Sequence, residues 1–202
     1  MNPALDLAAI VVAFFVGAIP FGVLVSRTFY GTDIRGAGSG NIGAANALRT
    51  LGKRGAAAVL ALDALKGYAP TLAAFALGGR ETAALAALAA VVGHCYSPFL
   101  AGKGGKGVAT FLGTLFALWW PAAAAFALVW IAAVVAAGYA SVASMLATVA
   151  MAPVLWFGLG RTGLLYGVVS ALLVIWKHRD NLGRLRAGTE NRLSLLKAKS
   201  RS

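Results

Sequence analysis

VATFLGTLFALWWPAAAAFALVWIAAVVAAGY, residues 108–139, decides how many times this chain crosses a membrane. The stretch has no charged residue and a single proline, Pro121. A spanning helix needs about 20 apolar residues, so the run is either one long kinked helix or two spans meeting at Trp119-Trp120-Pro121. Proline stops or bends a helix and paired tryptophans favour a membrane interface, so both suit a turn at a surface. The first of the two pieces is short. It would have to begin inside the glycine-rich stretch before it, or be embraced by its neighbours.

On either side, residues 4–25, 55–77, 82–100, 142–157 and 163–176 form further apolar runs, giving seven spans if the central run divides. The basic residues choose between six and seven. With seven, the loops carrying Arg27, Arg35, Arg49, Lys53 and Arg54, the pair Lys103 and Lys106, and the tail from Lys177 onward share one side. These make fifteen of the eighteen basic residues, leaving Arg80 and Arg161 opposite and Lys66 within a span. Six spans would send the tail charges across from the others. The positive-inside rule makes the basic side cytoplasmic. The expectation is therefore an all-α integral membrane domain over residues 1–202, with about seven transmembrane helices, the N-terminus outside and the C-terminus cytoplasmic. Motif segments 35–54, 93–107 and 177–192 then face the cytoplasm.

Composition agrees. The 202 residues are 60% apolar, against roughly 45–50% for a soluble domain, and mean hydropathy is +0.80. A net charge of +12 would point to nucleic acid in a soluble protein. Here the cations lie between apolar runs with no basic stripe interleaved with aromatics, so orientation in anionic lipid is the better reading. Asp6 and the lack of a basic cluster before the first run favour a retained span over a cleaved signal. The lone Cys95 excludes an internal disulfide.

The polar stretches SGNIGAANALR (residues 39–49), GHCYSPFLAGKGGKG (93–107) and KHRDNLGRLRAGTENR (177–192) each contain groups suited to phosphate. In the first, Gly36, Gly38 and Gly40 surround Ser39. Such glycines let a backbone turn present its N–H groups to an anion, and a following helix adds its positive end. Asn41 and Asn46 add amide donors, and Arg49 a guanidinium able to hold phosphate with two parallel hydrogen bonds. The second places Lys103 and Lys106 among Gly104, Gly105 and Gly107. It is not a Walker loop, because glycine follows the lysine. An interfacial lysine pair reaching for water is the plainer reading. The third carries His178, Asn181, Arg184 and Glu190, with His178 and Asn181 on one face if the last helix continues. For residues 197–201, lipid-surface anchoring is preferred. Asp63 and Lys66 sit one turn apart within a span, where mutual pairing is the economical arrangement.

These segments, in this order, resemble the bacterial acyl-phosphate:glycerol-3-phosphate acyltransferase (PlsY) family. The first motif is SGNIGAANALR with Asp63, Lys66 and Gly67 downstream. The second is Gly93-His94, then Phe99 and the GKGGKG that starts at Gly102, and the third is KHRDNLGRLRAGTE. Ala101-Gly102 departs from the family, which often has a second glycine or a bulkier residue there. The resemblance implies transfer of a fatty acyl group from acyl phosphate to the primary hydroxyl of glycerol 3-phosphate, giving lysophosphatidic acid and phosphate in phospholipid biosynthesis. It also implies a multi-pass protein of the bacterial inner membrane with its site facing the cytoplasm. The enzyme that supplies acyl phosphate is a candidate partner.

On that basis Ser39, the amides around Gly38 and Gly40, Arg49 and Lys106 are expected to hold acyl phosphate. Lys103, His178, Asn181 and Glu190 would place glycerol 3-phosphate, with Gly104, Gly105, Asn41 and Asn46 as further contacts and Ser141 a weaker candidate. No Ser-His-Asp set is evident, so direct attack without an acyl-enzyme is expected. No cofactor is required, and the acids do not cluster as magnesium ligands would. The H-x-x-x-x-D pattern of other glycerolipid acyltransferases is absent, since Phe99 and Gly183 stand five residues after His94 and His178. The alternative is a transporter for an organic phosphate or other anion, gated by the same cations. Against it, no repeat pairs the two halves.

Overall fold

The computed structural model describes residues 2–193, which form helices joined by short connections. They are α1 (Pro3–Ala18), α2 (Phe21–Tyr30), α3 (Ala44–Thr50), α4 (Gly52–Cys95), α5 (Val108–Leu118), α6 (Trp120–Ala137), α7 (Ala140–Lys177) and α8 (Arg179–Arg186), with single 3-10 turns at Ile34–Gly36 and Pro98–Leu100. The anchoring stretch 197–201 lies outside the described residues.

Both α4 and α7 are hairpins. Gly79 (φ 75°, ψ −162°) and Gly160 (φ 63°, ψ −146°) adopt a conformation essentially closed to other residues, and the chain reverses at each. Asp63 and His94 approach to 3.7 Å across the first reversal, although a straight helix would hold them about 46 Å apart. Across the second, a Cβ on Gly167 would lie 2.8 Å from Ala152 Cα. Four helical stretches are long and apolar enough to span a bilayer. Dividing the two hairpins and adding the shorter α5 gives seven apolar helices, the number expected. The run 108–139 does split in two. Trp119 is extended and Pro121 sits in the first turn of α6, where its missing N–H costs nothing.

The span expected over 4–25 is broken. Pro20 interrupts it between α1 and α2, and the freed carbonyls find polar partners. Lys66 Nζ donates to Ile19 O at 2.6 Å and Ser97 Oγ to Ala18 O at 2.6 Å. Unpaired carbonyls at membrane depth would be costly, so these two bonds permit the break. The span expected over 82–100 ends at Cys95 instead, and the chain then turns through Pro98–Leu100.

Helix α5 has 11 residues, only about 16 Å of length against an apolar layer of about 30 Å. The glycine-rich chain before it therefore sinks into the bundle, leaving a recess that α5 floors. Close packing holds α5 there. A Cβ on Gly67 would lie 2.2 Å from Thr110 O, and one on Gly113 1.9 Å from Ala64 O. Fully buried Phe111 stacks on Tyr166 at 5.6 Å and meets Phe126 edge-on at 5.8 Å. Lipid tails are as apolar as these side chains, so fit rather than escape from water drives the association. The outward faces are apolar, with Phe157 85% and Val135 76% exposed.

Candidate functional site

Residues 39–49, 106–108, Ser141 and 178–191 meet at one end of the bundle around a cavity of about 360 Å³, within the size range of small-molecule sites. The N-terminus lies at the other end with the Gly79 reversal, where Thr82 donates to Asp6 at 3.1 Å.

The first segment is shaped by Asn46. Its Nδ2 reaches Ile34 O, Ala37 O and Asn41 O at 3.2, 3.0 and 2.8 Å, while its Oδ1 accepts from Ser39 N at 2.9 Å. An amide has two hydrogens, so Asn46 has no donor left for a ligand. Asn46 lines the cavity, and its amide hydrogens are committed to building the turn. Gly38 and Gly40 make that turn with φ of 59° and 69° and do not line the cavity. Ser39 and Asn41 do, and Arg49 Nη2 donates to Ser39 Oγ at 3.1 Å. Among the described residues the rest of the guanidinium has no partner, which leaves it available to a ligand.

The second segment is moulded on His94. Gly105 N donates to His94 O at 3.0 Å. A Cβ on Gly105 would stand 2.2 Å from His94 Nε2, and one on Gly104 2.0 Å from His94 O. Both glycines therefore serve loop packing and lie off the cavity wall, and Lys103 is exposed outside it. Lys106 points in and donates to Asn181 Oδ1. Burial, then the nearby Arg184, pushes its ammonium down to about 8, with Glu190 opposing.

In the third segment the helix breaks at His178, which ends α7, and Asn181 lies on α8. His178 Nδ1 lies 2.7 Å from Val174 O. A carbonyl only accepts, so Nδ1 carries the hydrogen and Nε2 is left with a lone pair. Burial and the Lys106 charge push the imidazole down to about 4, so it is neutral at pH 7. Glu190 ties the end together. It accepts from Asn181 Nδ2 at 2.5 Å, Ser141 Oγ at 2.9 Å and Arg184 Nε at 2.7 Å. Burial raises this carboxyl, and the three hydrogen bonds outweigh it, so the net shift is downward. Leu193 N to Gly138 O at 2.8 Å seats the segment against the α6–α7 turn.

Arg49, Lys106 and Arg184 thus face one carboxylate, leaving an excess of two positive charges, the complement of a phosphate dianion. Arg184 enters the site through spare guanidinium nitrogens. Its pairing with Glu190 could not be read from a spacing of six that crosses a helix end. From the cations the wall becomes apolar through Leu112, Phe126, Trp130 and Ile131, the last 55% exposed on the lipid face. Ser144 lines it too, accepting from Trp130 Nε1 at 3.1 Å. The i, i+4 spacing of Phe126 and Trp130 is a signal for this stripe, but an uncharged helix has many such pairs. Asp63 also lines the cavity, at its inner wall, and pairs there with Lys66 at 2.7 Å, both nearly sealed from solvent, so this pair adds no net charge. Cys95 is fully buried against Gly107 and does not line the cavity.

The model of the glycerol-3-phosphate acyltransferase family matches residues 7–188. Glycerol-3-phosphate acyltransferases similar to this chain include one from Rhodopseudomonas palustris (strain BisB5), 46% identical over 93% of this chain and 95% of its own. One from Methylorubrum populi is 49% identical over 95% of this chain and 94% of its own. Two crystal structures of PlsY (YgiH), described as an integral membrane glycerol 3-phosphate acyltransferase, superpose closely. Its glycerol 3-phosphate form gives a TM-score of 0.90 at 37% identity, covering 95% of this chain and 97% of that one. Its lysophosphatidic acid form gives 0.86 at 36% identity over the same shares. With helices, recess and cationic cavity already in place, these matches establish that the chain belongs to the glycerol-3-phosphate acyltransferase family of integral membrane enzymes.

Proposed function

We propose that this acyltransferase takes its acyl group from acyl phosphate and delivers it to the primary hydroxyl of glycerol 3-phosphate, releasing lysophosphatidic acid and phosphate. The observation carrying the reading is the junction of two chemistries in one cavity, cations at one end and an apolar wall open to lipid at the other. The donor's phosphate sits against Ser39, Arg49 and Lys106, with its chain along Leu112, Phe126 and Ile131. Glycerol 3-phosphate enters from the polar side and uses Arg184 for phosphate. His178 Nε2 accepts from the attacking hydroxyl. Asn181, Ser141 and Glu190 line the same cavity and hold Lys106 and Arg184 in position.

The hydroxyl oxygen bonds to the acyl carbon, the bond from that carbon to the phosphate oxygen breaks, and the hydroxyl proton passes to the departing phosphate or to His178. Charge on the carbonyl oxygen and on the leaving phosphate is met by Lys106 and Arg49, and positioning supplies much of the rest. Direct transfer is favoured because, among the described residues, no histidine or carboxylate hydrogen-bonds Ser39 Oγ, and Cys95 is sealed away from the cavity. The basic residues gathered at the cavity end favour a cytoplasm-facing site in the bacterial inner membrane, with the N-terminus outside.

The test is phosphate release by lipid-reconstituted protein given palmitoyl phosphate, with and without glycerol 3-phosphate. Release that requires the acceptor and equals the lysophosphatidic acid formed supports the reading. Acylation of glycerol 3-phosphate only from a thioester donor, or anion flux across sealed vesicles without lipid product, would refute it.

A further inference from the structure

The end of the bundle remote from the cavity carries a second cleft, of about 380 Å³, between the arms of α4 and α7 that follow the reversals. Each arm opens with charge beside its reversal glycine, Arg80 and Glu81 after Gly79 and Arg161 after Gly160; the exposed Arg80 does not line the cleft, and Glu81 and Arg161 face it. Four residues on stand Leu85 and Leu165, with Val169 four further. On a helix these lie beneath the charge on one face, about 6 Å and 12 Å deeper. Leu85 is 55%, Leu165 54% and Val169 42% exposed, so the cleft opens to the lipid side of the bundle. Tyr166 floors it, with its hydroxyl turned away to Thr114. Glu81 and Arg161 line the same cleft, yet neither is paired with the other or with any other described residue.

We propose that this cleft is a binding site for a phospholipid whose headgroup carries both a phosphodiester and a primary ammonium. The Arg161 guanidinium offers parallel N–H donors to the phosphodiester, and the Glu81 carboxylate accepts hydrogen bonds from the ammonium. One acyl chain follows Leu85, Leu165 and Val169 toward the bilayer centre. An anionic headgroup without an amine meets repulsion from Glu81, and a quaternary ammonium cannot donate to it. The site is at the far end from the catalytic cavity and does not depend on the identity of the acyl donor.

Delipidated full-length protein would be titrated with phosphatidylethanolamine, phosphatidylcholine and phosphatidylglycerol of matched chains. Retained lipid is read by native mass spectrometry and thermal stabilisation by the shift in Tm. The expected result is retention of phosphatidylethanolamine about fivefold above either other lipid, the scale of one interfacial charge contact. Glu81→Gln should abolish the preference over phosphatidylglycerol, and Arg161→Gln should weaken all three. Both side chains are exposed, so these variants should fold. Equal retention of the three lipids by the natural protein, or an unchanged preference in both variants, would overturn the proposal.

Discussion

The cavity lysine gives the sharpest test of the site. With the Lys106 ammonium pushed down to about 8, about 90% of the free enzyme carries that charge at pH 7 and about 10% at pH 9. If the charge meets phosphate, kcat/KM should fall about tenfold between pH 7 and pH 9, because that ratio reports groups of the free enzyme. Lys106→Arg replaces the group with one that does not titrate in this range, so its residual activity should show no alkaline fall. Stability should move the other way. The folded-state value is depressed, so between about pH 8 and 10.5 the unfolded chain still holds the proton while the folded one has lost it, and stability rises with pH. Below pH 8 both states are protonated and the folded one bears the full cost of the buried charge. The assay is initial-rate phosphate release in proteoliposomes at low acceptor concentration, with Tm recorded across the same range. A natural enzyme with flat kcat/KM to pH 9, or an alkaline fall that survives unchanged in Lys106→Arg, would refute the reasoning.

Four further outcomes are expected. Glu190→Gln removes the negative charge and replaces one of the two acceptor oxygens shared by Asn181, Ser141 and Arg184 with a donor NH2 group. It should lower stability by about 2–4 kcal/mol and reduce turnover with it, checked by Tm and initial rates. Asp63→Asn leaves Lys66 buried without its counter-charge, a loss of about 3–5 kcal/mol, and adding Lys66→Met should recover part of it in a double-mutant cycle. Gly105→Ala would drive a methyl group toward His94 Nε2 and displace Lys106, lowering kcat/KM by more than tenfold by order of magnitude. Gly36→Ala, where a Cβ would meet nothing within 4 Å, should be near neutral in the same assay.

Much of the fold was legible because a bilayer constrains a chain more tightly than water does. Span length, proline and charge placement were enough to count seven apolar helices and to divide residues 108–139. Interruptions inside spans were not legible. The break at Pro20 is viable only because Lys66 and Ser97, distant in sequence, take up the freed carbonyls. The early end of the 82–100 run depends on His94 being a template for Gly104 and Gly105. Among site residues, Ser39, Arg49, Lys106 and His178 were identifiable by type and motif. Lys103 was not separable from Lys106 by pattern, since both are lysines flanked by glycines, and only the path of the loop sends one inward and leaves the other outside.

By itself, then, the sequence determined the class of molecule, its all-helical membrane architecture and the three polar segments that meet at the cavity, because these depend on composition, local period and motif. Tertiary structure alone decided which polar groups remain free. Asn46 and Glu190 look like ligand contacts in the chain, yet the amide hydrogens of Asn46 and three of the roughly four acceptor sites of Glu190 go to neighbours within the protein, while Arg184 and His178 Nε2 keep theirs. Hydrogen-bond capacity is finite and is spent on neighbours that only folding brings within 3 Å, so no pattern along the chain could have apportioned it.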